Sequence, residues 1–91
     1  MPDCEAIKGE VEELIRKMGF EEDLKVNAVP FGDKFCAVDI DVKRPFIRMS
    51  VFEAIKDYLQ ARGYRVSAAD VFSRCHIPEA PLQFRMNVYE D

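Results

Sequence analysis

The sequence predicts an α+β sandwich, in which two helices pack on one face of a four-stranded antiparallel sheet in the order αββαββ. Two segments with the periodicity of amphipathic helices are each followed by two segments in which apolar and polar residues alternate. Each predicted helix ends at a glycine followed by an aromatic residue, Gly19-Phe20 and Gly63-Tyr64. These patterns divide the chain into two helix–strand–strand units of matched length.

The size and composition of the chain indicate where a functional surface can lie. The 91 residues, of which 48% are hydrophobic and 33% charged, predict one domain spanning residues 1–91. A domain of this size buries only about 60–65% of the surface that its unfolded chain exposes. Because so small a core fills with packing side chains, we expect a cleft, a sheet face or a sheet edge to be the working surface.

The first unit has clear helix and strand signals. Asp3 can cap the first helix and Gly19 can stop it, with Gly9 as a mild defect inside. A turn at residues 30–34 separates two predicted strands, and Asp39 and Asp41 lie on the outer face of the second strand. The residues predicted to face the core are Ile7, Val11, Leu14, Ile15 and Met18 of the helix, and Leu24, Val26, Ala28, Cys36, Val38, Ile40 and Val42 of the strands.

The second unit repeats the pattern with weaker signals. Ser50 and Glu53 have the spacing of a capping box at the start of the second helix. A third strand is predicted over residues 64–74, with a β-bulge near Ala69, where the alternation changes phase. The last strand alternates over residues 82–89.

A shift of 44 residues aligns the two units, at about residues 3–43 and 47–91, without a gap. A duplication would explain this register, as would any two helix–hairpin units of equal size. One antiparallel sheet with both helices on one face is the simplest arrangement of such units, and it corresponds to a circularly permuted ferredoxin-like sandwich.

Charge and cysteine content predict the cellular environment. The net charge of −4 argues against a general nucleic-acid binder, although a local basic patch keeps that alternative open. Cys4, Cys36 and Cys75 are few and far apart, which is typical of a reducing compartment. Because the N-terminal residues lack a basic-then-apolar signal and no apolar run approaches ~18 residues, we expect a cytoplasmic protein that does not bind membranes.

Two hypotheses for chemistry involve the cysteines. Cys75 and His76 lie together in a predicted loop, where a thiolate nucleophile could have a basic neighbour, but no oxyanion-hole signal accompanies them. Cys4, Cys36, Cys75 and His76 could number four zinc ligands, but their spacing is wrong for a zinc knuckle. We therefore assign no catalytic residue, no metal ligand and no cofactor from the sequence.

Charged residues give two further candidates. Asp39 and Asp41 could share a metal or act in acid–base catalysis, but we expect them to pair with Arg65, Arg85 or Lys25 on the open sheet face. A second candidate is the basic segment made by three cations before the second helix, which could bind an anion or nucleic acid at the helix N-terminus. That segment lacks the glycines typical of phosphate loops, and the outer face shows no paired aromatics of the RNA-stacking kind. The three cations are Lys43, Arg44 and Arg48.

The leading functional hypothesis is a non-enzymatic interaction module, which binds a protein partner or a second copy of itself. It rests on the small size, the acidic balance and the absence of a catalytic set. The open sheet face or an edge strand would form the interface. The residues predicted to contribute apolar contacts are Phe46, Ile47, Met49 and Tyr89. Anion or nucleic-acid binding and a small enzyme at Cys75-His76 are the alternatives.

Overall fold

The computed structural model describes residues 3–43, 48–73 and 82–90, and its six elements follow the predicted order αββαββ. The two helices form where apolar residues recur with the period of an amphipathic helix, and the strands form where apolar and polar residues alternate. The elements are α1 (Cys4–Met18), β1 (Leu24–Phe31), β2 (Phe35–Val42), α2 (Met49–Ala61), β3 (Tyr64–Ser73) and β4 (Leu82–Glu90).

The strands form one antiparallel sheet in the order β1-β2-β4-β3. This order is the one expected of a circularly permuted ferredoxin-like arrangement. Strands β1 and β3 are the edges, and β2 and β4 form the centre. The predicted two-layer sandwich is therefore confirmed, and the strand order adds what the sequence left open.

Both helices pack on the same face of the sheet and share one hydrophobic core. Ile7, Val11 and Ile15 of α1 are buried against the inward residues of β1 and β2. The rings of Phe52 in α2 and Phe84 in β4 stack with centroids 4.3 Å apart. Fully buried aliphatic and aromatic side chains each contribute about 1.5–3 kcal/mol, so this shared layer is the main source of stability.

The helix ends differ between the two units. The Asp3 carboxylate accepts a hydrogen bond from the Ala6 N–H at 3.1 Å, and Gly19 has a φ of 84°, as predicted. The capping box predicted at Ser50 and Glu53 is wrong. Helix α2 begins at Met49 after Arg48, which makes no side-chain cap, so Ser50 lies inside the first turn.

Two details of the sheet bear on the functional surface. The register of β3 against β4 shifts between Ser67 and Asp70, which confirms the predicted bulge. The turn predicted at residues 30–34 is shorter in the structure, because β1 continues to Phe31 and β2 already begins at Phe35. Both phenylalanines are therefore strand residues with a defined side-chain direction.

A disulfide joins Cys4, the first residue of α1, to Cys36 in β2, with their Cα atoms 5.7 Å apart. Cys36 is fully buried in the core, as its alternation predicts. The expectation that the cysteines are reduced thiols is wrong for this pair. Residues 32 positions apart meet because α1 crosses the sheet and places its N-terminus over β2, a juxtaposition that sequence spacing does not reveal.

Removal of this disulfide is expected to lower the free energy of unfolding by about 3–4 kcal/mol, because it would release a loop of 32-residue separation in the unfolded chain. Urea unfolding of the Cys4→Ala variant, and of the wild-type protein with and without reductant, measures this loss. A free-thiol titration of the oxidised protein should find one thiol, since the sequence has three cysteines and two are joined.

The Cys4→Ala variant also provides the control, because reductant should leave its stability unchanged. Equal stability of the oxidised wild-type protein and the Cys4→Ala variant would show that the disulfide does not contribute to folding.

Candidate functional site

The candidate site is the outer face of the sheet, defined as the face opposite the helices. Because side chains alternate along each strand, the residues next to the core residues point outward. The pairing registers arrange the outward residues in rows that cross the strands. The first row, at the end of the sheet nearest the β1–β2 hairpin, runs through Phe31, Phe35, Tyr89 and Arg65.

This first row contains three aromatic rings in continuous contact, which we call the aromatic row (Phe31, Phe35 and Tyr89). The rings of Phe31 and Phe35 stack with centroids 5.0 Å apart and an interplanar angle of 7°. Phe35 and Tyr89 follow with centroids 5.1 Å apart. The Arg65 guanidinium lies 4.2 Å from the centroid of the Tyr89 ring, within cation–π range. The aromatic row therefore crosses β1, β2 and β4, and Arg65 extends the line of contacts onto β3.

The apolar surface continues from the aromatic row onto the next row. Val29 is 44% exposed and Phe31 is 45% exposed, both on edge strand β1. Ala37 lies beside Val29 in the register and is fully buried by its larger neighbours. Large apolar side chains this exposed form a surface that a partner can cover.

The other half of the outer face is polar and internally paired. Two guanidinium nitrogens of Arg85 donate to the Asp39 carboxylate at 2.6 and 3.0 Å, and the Gln83 amide donates to Asp41 at 2.9 Å. Asp39 is only 6% exposed, and the Arg85 guanidinium provides the opposite charge beside it. Arg85 is one of the three cations predicted as partners of Asp39 and Asp41, and its pairing with Asp39 is confirmed. These contacts join β2 to β4.

The two predicted interface residues that the structure describes, Met49 and Tyr89, lie on opposite sides of the sheet. Tyr89 lies on the outer face, where it contacts Phe35 and Arg65. Met49 is 54% exposed, but it lies at the start of α2 beside Phe52, on the helix side of the sheet. Phe46 and Ile47 lie outside the described residues.

Two cations of the predicted basic segment lie among the described residues. Lys43 is exposed just after β2, and its N–H donates to the Asp23 carbonyl at 2.9 Å. Arg48 is exposed at the N-terminus of α2, while Arg44 lies outside the described residues. Anion binding by these residues stays a prediction.

The two cysteine hypotheses have different outcomes. Cys75 and His76 lie outside the described residues, so catalysis at that loop stays a prediction. The proposed zinc site loses two of its four ligands, because the sulfurs of Cys4 and Cys36 are joined to each other. Among residues 3–43, 48–73 and 82–90, no three His, Cys, Asp or Glu side chains are grouped closely enough to hold a metal ion.

Sequence reasoning missed most of the aromatic row. The turn predicted at residues 30–34 includes Phe31, because Pro30 and Gly32 are typical turn residues, and Phe35 lies between that turn and the first predicted core residue of the next strand. The alternation of β2 contained the signal: if Cys36 faces the core, Phe35 faces outward. Extending that parity across the hairpin would have paired Phe35 with Phe31.

Arg85→Ala should lower the free energy of unfolding by about 2 kcal/mol, because it leaves the buried Asp39 carboxylate without its counter-charge. Gln83→Ala is the matched control on the same strand and should cost about 1 kcal/mol or less. Chemical denaturation measures both. Equal losses for the two variants would contradict the structural role of the ion pair.

No family model, curated protein or solved structure is significantly similar to this chain. Within the described part of the chain, neither helix is long and apolar enough to cross a membrane.

Proposed function

We propose that this chain is a non-enzymatic interaction module, which associates face to face with a second copy through the apolar half of its outer face. The single observation that carries the proposal is the aromatic row, continued by Val29 on the exposed side of the sheet. Aromatic side chains are enriched where proteins meet, because each buries a large area at small entropic cost.

The size of the outer face supports a weak association. Four strands ~4.8 Å apart and ~3.4 Å per residue give eight-residue strands a projected area of roughly 500 Å². Stable interfaces bury about 800 Å² of accessible surface on each partner. The apolar half alone is smaller than this, so we expect weak self-association, with a dissociation constant in the micromolar range.

The edges of the sheet favour face-to-face packing over a continuous sheet between copies. Pro30 on β1 has no N–H, and the bulge between Ser67 and Asp70 interrupts β3. Both features are common devices against edge-to-edge pairing of whole strands. The outer face has no such obstacle at its aromatic end.

The Phe31→Lys variant should weaken self-association at least tenfold, because a charge at the exposed end of the aromatic row would be desolvated on contact. Sedimentation velocity across a dilution series measures the change. Met49→Lys is the matched control, since Met49 is comparably exposed but lies on the helix side. Both positions are exposed, so neither variant removes core packing.

Three outcomes of that comparison would contradict the proposal. The first is a wild-type protein that stays monomeric up to about 1 mM, which is far above a micromolar dissociation constant. The second is an equal loss of self-association in the two variants. The third is a loss of self-association in Met49→Lys alone. The last outcome would instead place the interface at the start of α2.

A second candidate function is binding of single-stranded nucleic acid, because stacked aromatics beside a cation are the elements of a base-stacking platform. The net charge of −4 weighs against it. The aromatic row removes the objection that the sheet lacks paired rings. The alternative therefore involves Tyr89 and Arg65 as well as the basic segment of Lys43, Arg44 and Arg48.

Titration of the labelled protein with a deoxythymidine oligomer at low salt tests this candidate by NMR. If bases stack on the row, shifts should appear at Phe35 and Tyr89, and Tyr89→Ala should abolish them. Shifts around Lys43 and Arg48 would favour the basic segment instead. An unchanged spectrum would contradict both forms of nucleic-acid binding.

A further inference from the structure

A groove runs between α1 and the free edge of β1, on the side of the molecule away from α2. Gly9, Glu12 and Arg16 line its helical side, and Leu24 and Val26 lie on its strand side. Its volume is about 310 Å³. We call this space the β1 groove. It lies on the opposite side of the sheet from the aromatic row.

On the side of β1 that faces away from β2, residues 3–43, 48–73 and 82–90 supply no ladder partner to its backbone. The Lys43 N–H donates to the Asp23 carbonyl, which places the odd-numbered residues of β1 in hydrogen-bonded pairs with β2. The even-numbered residues therefore direct their backbone groups away from β2. Leu24 uses its outward N–H on the Phe20 carbonyl at 3.0 Å.

What remains is a short edge with a defined pattern of donors and acceptors. Val26 and Ala28 direct both N–H and C=O outward, and Leu24 contributes its C=O. The pattern ends at Pro30, which has no N–H to donate. This edge over residues 24–28 matches about five residues of an extended chain.

The groove can accept the side chains of such a chain. A residue paired with Val26 points its side chain to the same face as Val26, toward α1. Gly9 has no side chain there, and no heavy atom lies within 4 Å of where its Cβ would be. Gly9, which is unfavourable for helix formation, thus leaves space beside the β1 edge.

The charged residues around the groove determine which peptide sequences are complementary to it. The Arg16 guanidinium hydrogen-bonds to Glu13 and holds the pKa of that carboxyl below its usual value, so the two charges balance. Glu12 leaves the helical side acidic, and Glu21 and Lys25 also line the groove. Lys43 lies at the other end, next to Asp23 and the start of β1.

The same charges disfavour a second copy as the occupant. Antiparallel pairing of two β1 strands about Val26 would bring the acidic run Glu21-Glu22-Asp23 of one copy beside the Ala28 end of the other. Glu12 lines the same groove, so like charges would meet there. A segment with a basic residue at this position is complementary.

We propose that the β1 edge and the β1 groove bind an extended peptide segment, which adds to the sheet as an antiparallel fifth strand. The segment has an apolar residue opposite Val26, a basic residue opposite Ala28 and an acidic residue opposite Lys25. Main-chain hydrogen bonds supply affinity, and the alternating side chains supply selectivity. This site is independent of self-association through the outer face.

The test uses the capped heptapeptide Thr-Lys-Thr-Val-Glu-Val-Thr, whose first Val is designed to pair with Val26. Titration into the ¹⁵N-labelled protein should shift the amides of Gly9, Val26 and Ala28 and slow hydrogen exchange at the latter two. N-methylation of the first Val removes its bond to the Val26 carbonyl and should weaken binding about tenfold or more. Exchanging the Lys and Glu of the peptide should also weaken it.

Substitutions in the protein test the same contacts from the other side of the interface. Ala28→Pro removes one outward donor and should weaken peptide binding about tenfold, whereas Pro30→Ala adds a donor and should strengthen it. Glu12→Lys should prefer the charge-exchanged peptide. The amide spectrum of each variant confirms its fold, and Glu12→Lys and Pro30→Ala decide the question if Ala28→Pro does not fold.

Several results would overturn the proposal. One is an unchanged amide spectrum with about 1 mM peptide, which excludes all but very weak binding. Another is a set of shifts confined to Phe35 and Tyr89. A third is an affinity for the N-methylated peptide equal to that for the unmodified peptide. Phe31→Lys should leave peptide binding unchanged, and Glu12→Lys should leave self-association unchanged. Failure of one proposal is therefore distinguishable from failure of the other.

Discussion

The position of β2 in the sheet is the constraint on which the rest of the structure depends. It lies between β1 and β4, and its residues from Cys36 to Ile40 are buried without interruption. A shift of its register by one residue would exchange the inward and outward side chains. The register therefore fixes together that Cys36 meets Cys4 in the core and that Phe35 and Asp39 point outward.

The outer face separates two physical roles. At its polar half, Asp39 and Arg85 form two hydrogen bonds with each other and join the two central strands. These groups are therefore poorly placed to bind a partner. At its aromatic half, Val29 and Phe31 remain exposed. A partner that covers only the aromatic half leaves the ion pair in its own surroundings and avoids the cost of desolvating it further.

Local periodicity was enough to predict the helices and strands, because an element that buries one face has apolar residues at regular intervals in its sequence. It correctly predicted the cap at Asp3 and the bulge before Asp70. It failed where the cause is non-local. The pairing of Cys4 depends on how α1 crosses the sheet, and the aromatic row depends on a hairpin register that the turn residues around Phe31 obscured.

The disulfide has a consequence for how the molecule comes apart. It closes a ring of chain that contains α1, β1 and the hairpin leading into β2. A protease that cuts at Gly32–Lys34, on the exposed tip of that hairpin, leaves both pieces joined through sulfur. The second helix–strand–strand unit lies outside this ring. Turnover of the intact, oxidised molecule should therefore start in the second unit, or wait until the bridge is reduced.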